Sequence, residues 1–238
     1  MYLRFLLCLI IGFCQVSTVV NAQKINKYGL KIIENPQYYS QEVANNKSLE
    51  LTELKTLIPD LLYDLRYATK NNFTGKRLYP SGTSSAFLRS EAANALKLVA
   101  EDLRKQGYYL KIYDAYRPYS VTEKFWKLIG DERYVAHPRG GSGHNRGLAV
   151  DLTLVSVATG KEIEMGTGYD DFNEIAWHGA EGISENAKAN REVLKNAMLQ
   201  HGFRLFETEW WHYSWPNTNN LYDVMDIPFR KIPVNKEY

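Results

Sequence analysis

The ten-residue stretch from Ser142 to Asp151, SGHNRGLAVD, constrains the fold of this chain more than any other. It places His144 seven residues before Asp151, with a glycine on each side of the histidine. Glycine permits sharp bends of the backbone. The small, apolar and β-branched residues of 148–155 predict a buried strand. We therefore expect a loop to carry His144 and the following strand to carry Asp151.

A second fragment, Glu209-Trp210-Trp211-His212, places another carboxylate three residues before another imidazole. Two imidazoles and one carboxylate suit zinc. Catalytic zinc takes three protein ligands and keeps a fourth position for water, whose pKa it lowers to roughly 7. We interpret His144, Asp151 and His212 as the ligands of one Zn²⁺ per chain. Glu209 is then the spare carboxylate that acts first as general base and then as general acid.

The length and composition of the chain favour a single globular domain. The chain has 238 residues, of which 45% are hydrophobic and 24% charged, enough for one core. A net charge of +2, with scattered Lys and Arg, argues against nucleic-acid binding. Strand and helix patterns mix without a regular βαβ rhythm. They predict an α+β fold with a mostly antiparallel sheet, flanked by helices, and a zinc site between a loop and the strands.

The first 22 residues have the pattern of a secretory signal. Arg4 precedes an apolar run over 5–13, and small residues precede Gln23. We expect an exported protein of the periplasm or cell envelope, without a membrane span once the signal is removed; an uncleaved anchor is the alternative. Both cysteines, Cys8 and Cys14, lie in this segment, so the processed chain would contain no thiol.

Local patterns divide the rest of the chain. Residues 23–50 are polar and predict a loosely attached N-terminal extension, and residues 51–238 form the catalytic domain. Alternation predicts strands over 61–67 and 108–113. Three helices are predicted: one over 90–106 that stops at Gly107, one that a Ser120/Glu123 capping box opens and Gly130 ends, and one from Ser184 to His201.

Taken together, the motifs resemble a known family. SGHNRGLAVD resembles the SxHxxGxAxD signature of the D-alanyl-D-alanine dipeptidases and related zinc carboxypeptidases, and ETEWWHY resembles their ExWWH signature. YATKNNFTGK, DAYRP and MGTGYD are similar to the dipeptidase branch in sequence and in order. The resemblance covers roughly residues 60 to 215.

The resemblance implies a role for each matching residue. It implies zinc ligands at His144, Asp151 and His212, and acid/base catalysis by Glu209. Among the other positions, Arg117 would stabilise the developing oxyanion, Asp170 would receive the free ammonium group of the substrate, and Ser142 and Tyr67 would line the same pocket. Asp114 would either orient Arg117 or stabilise a turn.

These roles predict an exported zinc metallopeptidase that hydrolyses D-alanyl-D-alanine or a similar D,D-dipeptide in bacterial cell-wall metabolism. One alternative keeps the chemistry and changes the substrate, as in a D,D- or L,D-carboxypeptidase that trims peptidoglycan stem peptides. A second alternative is a wall-binding or signalling module that keeps the zinc fold without turnover. The oligomeric state does not follow from the sequence.

Overall fold

The computed structural model describes residues 23–234, and the predicted signal segment, 1–22, lies outside them. The strands are β1 Lys24–Ile25, β2 Lys31–Ile33, β3 Leu51–Glu53, β4 Leu62–Tyr63, β5 Phe87–Arg89, β6 Tyr108–Asp114, β7 Ala149–Ser156, β8 Arg204–Phe206, β9 Glu209–Ser214 and β10 Val224–Met225. The α-helices are α1 Pro36–Asn45, α2 Leu54–Leu57, α3 Ser90–Lys105, α4 Tyr119–Ile129 and α5 Glu185–Gln200.

A five-stranded sheet lies at the centre of the fold, in the order β4-β6-β7-β9-β8. Strands β4 and β6 run parallel, and the other three neighbouring pairs run antiparallel. β7 is the middle strand, and its residues 149–155 are all buried. Helices flank the sheet, with α3 in contact with both β6 and α5. The predicted α+β fold with a mostly antiparallel sheet is confirmed.

The three predicted helices all form. α3 buries one face through residues such as Leu96, Val99 and Leu103, the spacing that an amphipathic helix requires. It ends just before Gly107, whose φ of 90° allows the chain to reverse. α5 begins after Ser184, whose hydroxyl accepts a hydrogen bond from the amide of Ala187 at 3.0 Å.

The capping box predicted for α4 is wrong. The helix starts one residue after Pro118, so Ser120 already lies inside its first turn. The Ser120 hydroxyl instead donates to the carboxylate of Asp226 at 2.8 Å. The predicted stop is correct, because Gly130 ends the helix with a φ of 65°.

The strand predicted over 61–67 is much shorter than expected. Only Leu62 and Tyr63 pair with β6, and a 3₁₀ turn follows over Arg66–Ala68. The alternating pattern remains without a strand, because Leu65 and Tyr67 are buried and Asp64 and Arg66 are only half-buried. The turn buries Tyr67.

The loose attachment expected for residues 23–50 is also wrong. β2 pairs with β10 in parallel, with Ile32 opposite Val224. The buried phenol of Tyr39 accepts a hydrogen bond from the amide of Leu51 at 2.6 Å. The segment holds few apolar residues, but four of them, Ile32, Ile33, Tyr39 and Val43, are buried, so its polar composition misled the prediction. A domain boundary at residue 51 stays a prediction.

Within residues 23–234, the longest helices are too short or too polar to cross a lipid bilayer.

Candidate active site

The register of the central sheet places three polar side chains in one row. Asp151 on β7 lies opposite Asp114 on β6 and opposite His212 on β9. Side chains directly opposite on neighbouring strands stand close together on the same face. The sheet therefore brings together residues that are 37 and 61 positions apart in sequence.

The loop before β7 carries His144 on a short 3₁₀ helix, His144–Arg146. Gly147 ends this helix with a φ of 69°, and a Cβ there would lie 2.5 Å from the side chain of Leu51. Glycine is thus required at this position both for its dihedral angle and for space. Nδ1 of His144 lies 2.7 Å from the carbonyl oxygen of Ala115. Because a carbonyl oxygen can only accept, Nδ1 carries the proton and Nε2 is left as a possible metal ligand.

The geometry of the three predicted ligands fits zinc. Nε2 of His144 lies 3.3 Å from Nδ1 of His212 and 3.4 Å from Oδ1 of Asp151. Tetrahedral zinc with bonds of 2.0–2.1 Å separates its ligand atoms by about 3.3 Å. The third separation, between His212 Nδ1 and Asp151 Oδ1, is 2.8 Å, and a bound cation would widen it slightly. The donor set and its spacing therefore suit one zinc ion.

Glu209 lies beside this group at the start of β9. On a regular strand, residues three apart point to opposite faces, but the pairing of β8 with β9 shifts its register at this end. The irregularity lets Glu209 and His212 face the same side, with Oε2 of the glutamate 3.8 Å from Nδ1 of the histidine. Burial raises the pKa of Glu209 to about 7, a value suited to proton transfer near neutrality.

Arg117 follows β6 and is buried against the aromatic rings of Tyr67 and Phe125. Its Nε donates to Oδ2 of Asp114 at 2.8 Å, and its Nη2 forms an ion pair with the same oxygen at 2.7 Å. Nη2 also lies 3.9 Å from Oδ2 of Asp151. Asp114 therefore orients the guanidinium, and Arg117 is held next to the group of predicted ligands.

Asp170 lies next to Tyr67, whose ring also contacts Arg117. The phenol of Tyr67 donates to its two carboxylate oxygens at 3.0 and 3.2 Å. Burial, with a contribution from the charge of Asp151, raises the pKa of Asp170 well above its usual value. Its φ of 61° is uncommon for a residue other than glycine, and such dihedrals concentrate at functional sites.

Ser142 completes the set of predicted residues. Its amide donates to Oδ1 of Asn145 at 2.9 Å, and its hydroxyl accepts from the amide of Asn145 at 3.2 Å. All nine predicted site residues except Asp114 line one cavity of about 300 Å³. Asp114 lies behind it, against Arg117.

Comparison with known proteins identifies the family. The profile of the M15 peptidases, described as D-Ala-D-Ala dipeptidase, matches residues 47–233. A D-alanyl-D-alanine dipeptidase of Escherichia coli K12 is 35% identical over 70% of this chain and 85% of its own length. One from Enterococcus faecium is 32% identical over 72% of this chain and 96% of its own length. The chain belongs to the M15 peptidase family.

As an M15 peptidase, the chain is a zinc metallopeptidase, and the grouping of His144, Asp151 and His212 agrees with this. Among solved structures, the LD-carboxypeptidase LdcB covers 81% of this chain and 84% of its own, with 24% identity and a TM-score of 0.41. That likeness is too slight to bear on function.

Sequence reasoning missed three residues that hold this M15 site together. Asn145 is buried, and its Nδ2 donates to the carbonyl oxygen of Arg117 and the hydroxyl of Thr122. Tyr169 donates to Asp151. Arg191, on α5, donates to three main-chain carbonyls around the loop of Asp170. Asn145 lies inside the motif SGHNRGLAVD and Tyr169 inside MGTGYD, so both could have been recognised from the sequence. Arg191 lies in an ordinary helical pattern that gives no such signal.

Proposed function

We propose that this M15 peptidase hydrolyses D-alanyl-D-alanine, or a similar D,D-dipeptide, in bacterial cell-wall metabolism. The observation that carries the proposal is the position of Asp170, a half-buried carboxyl group in the same cavity as the predicted zinc ligands. A dipeptide has its free ammonium group next to the scissile bond, where such a carboxylate can pair with it. The two relatives compared above are both named D-alanyl-D-alanine dipeptidases.

The predicted metal residues would hold zinc, which polarises a carbonyl group and lowers the pKa of water. Glu209 then takes the proton of the attacking water on Oε2 and returns it to the leaving amine. The pKa of about 7 suits both steps, since the same group must accept and then donate. One carboxylate can thus serve both halves of the hydrolysis.

Arg117 stabilises the negative charge that develops on the carbonyl oxygen. Its guanidinium is fixed beforehand by Asp114 and by the rings of Tyr67 and Phe125. A donor that needs no rearrangement during the reaction contributes several kcal/mol, of the order of 3. The presence of both Arg117 and Glu209 in the cavity favours turnover over a non-catalytic binding module.

Asp170 separates dipeptides from longer peptides. A peptide whose nitrogen at that place is an amide offers no charge, so the half-buried carboxylate has no charged partner and the complex is penalised. The free amine is therefore the main specificity determinant in this proposal.

The decisive experiment compares D-Ala-D-Ala with N-acetyl-D-Ala-D-Ala and with an amine-blocked tripeptide that ends in D-Ala-D-Ala. We expect zinc-dependent hydrolysis of the free dipeptide and much slower hydrolysis of both blocked substrates. Preference for the blocked tripeptide would favour the carboxypeptidase alternative. Zinc binding without hydrolysis of any of the three would favour the non-catalytic module.

We also propose that the protein works outside the cytoplasm, where its substrate would be a dipeptide released from the cell wall. The basic and apolar pattern of residues 1–22 supports export. N-terminal sequencing of protein recovered from the cell envelope should then begin at Gln23. A chain that retains Met1 in the cytoplasmic fraction would contradict this.

A further inference from the structure

Two adjoining phenols, those of Tyr169 and Tyr67, lie between the predicted metal ligand Asp151 and the predicted amine receptor Asp170. The phenol of Tyr169 donates to Oδ2 of Asp151 at 2.9 Å. The phenol of Tyr67 donates to Asp170 at 3.0 Å. The two phenol oxygens lie 3.0 Å apart. Tyr169 thus contacts both Asp151 and Tyr67, one in each half of the site.

The ring of Tyr169 has little freedom to point its hydroxyl elsewhere. It is buried and stacks on Tyr113, with ring centres 4.5 Å apart and an angle of 24° between the planes. The edge contact with Trp211 fixes a second side, at 5.4 Å. The guanidinium of Arg66 lies 5.7 Å from its centre. The position of the hydroxyl is therefore set by the packing of the ring.

This hydroxyl is bonded to one carboxylate oxygen of Asp151, and the other oxygen faces the histidines. The Tyr169 hydroxyl donates to Oδ2 of Asp151. The other oxygen, Oδ1, lies 2.8 Å from Nδ1 of His212 and 3.4 Å from Nε2 of His144. Nη2 of Arg117, at 3.9 Å from Oδ2, is too far away to replace the hydrogen bond. Partners of this kind orient metal-binding carboxylates and histidines and strengthen metal binding.

We propose that Tyr169 is a positioning residue that fixes Asp151 for zinc and, through Tyr67, fixes Asp170 relative to the metal. The distance between the amine receptor and the reacting centre is then set by two adjoining phenols. The part that concerns Asp170 rests on the proposed dipeptidase function. The part that concerns Asp151 does not, since it requires only that the site binds zinc.

The first test measures zinc affinity of the metal-stripped protein by competition with a chromogenic chelator. Tyr169→Phe keeps the ring and removes the hydroxyl, and we expect zinc affinity to fall by roughly 10–100-fold. Tyr113→Phe is the matched control, because its hydroxyl is bonded to Glu162, away from the site, and we expect no change. Equal affinities of the two variants would overturn the proposal.

The second test measures KM for D-Ala-D-Ala at saturating zinc. Tyr169→Phe should raise KM several-fold relative to Tyr113→Phe, because Tyr67 and Asp170 lose their fixed neighbour. An unchanged KM would overturn the link to Asp170. Wild-type protein that hydrolyses no dipeptide would instead disprove the proposed function, and the zinc titration would still decide the role of Tyr169 at Asp151. Matching thermal unfolding of the two metal-free variants would exclude a general loss of structure.

Discussion

The main-chain amide of Arg117 donates a hydrogen bond to the carbonyl oxygen of His144, at 3.1 Å. In return, Nδ1 of His144 donates to the carbonyl oxygen of Ala115, and Nδ2 of Asn145 donates to that of Arg117. The loop that carries Arg117, the proposed oxyanion stabiliser, is thereby bonded to the loop that carries the predicted metal ligand His144. One of these three contacts joins main-chain groups, and the other two depend on the side chains of His144 and Asn145.

Asn145 is the side chain on which this connection depends. Asn145→Ala removes hydrogen bonds to Arg117, Thr122 and Ser142, and buried groups left without partners cost about 1–3 kcal/mol. We expect the free energy of unfolding to fall by about 3 kcal/mol, measured by urea denaturation, with a parallel loss of kcat/KM. The exposed control Asn94→Ala should change stability by less than about 0.5 kcal/mol. Equal effects of the two substitutions would show that the connection is unimportant.

Glu209 should be dispensable for zinc and essential for turnover. Glu209→Gln keeps the shape of the side chain and removes the base, so we expect kcat to fall by roughly 10²–10⁴-fold. Zinc content, measured by mass spectrometry, should stay at one per chain, because the three predicted ligands remain. Glu207→Gln, two residues away and exposed, is the control and should keep the wild-type rate. A rate in Glu209→Gln close to that of the control would assign the base elsewhere.

The sequence predicts those parts of the fold that depend on local pattern. Helix α3 follows from the spacing of residues such as Leu96 and Val99, and its end follows from Gly107. The predicted metal group follows from short fragments that carry both an imidazole and a carboxylate. Each of these signals lies within a few residues of chain, so no knowledge of distant contacts is needed.

The parts that escape prediction depend on contacts between distant segments. The register that sets Asp151 between Asp114 and His212 is decided by pairing across the whole sheet. The burial of Tyr39 depends on a neighbour, Leu51, that the polar segment gives no reason to expect. Buried arginines such as Arg191 bind main-chain carbonyls, which every residue possesses, and so leave no pattern in the sequence.

Substrate binding should depend on pH through Asp170. Burial raises the pKa of this carboxyl group well above its usual value, so as the pH is lowered it becomes protonated at a higher pH than an ordinary aspartate. A neutral carboxyl pairs poorly with ammonium, so KM for D-Ala-D-Ala should rise as pH falls through the pKa of Asp170, and binding at lower pH should release a proton.

Two measurements check this dependence. Asp170→Asn should raise KM and make it independent of pH over the same range, whereas Asp171→Asn, one residue further on, should keep the wild-type profile. Titration calorimetry with a non-hydrolysed dipeptide analogue, in two buffers of different ionisation enthalpy, measures the released proton. A pH-independent KM in the wild-type protein would rule out Asp170 as the amine receptor.

Arg191 should link the stability of the fold to the geometry of the amine pocket. Its guanidinium donates to the carbonyl oxygens of Met165, Ile175 and Trp177, which bracket the loop that holds Asp170. Burial lowers the pKa of Arg191 to about 10, so it remains charged at neutral pH.

Arg191→Met leaves these carbonyls without a donor and should lower the free energy of unfolding by at least about 2 kcal/mol. Because the loop loses its anchor, KM for the dipeptide should rise as well, while Arg204→Met at the exposed edge strand β8 should change neither quantity. If Arg191→Met loses stability but keeps its KM, the loop is held by its own turns and not by α5.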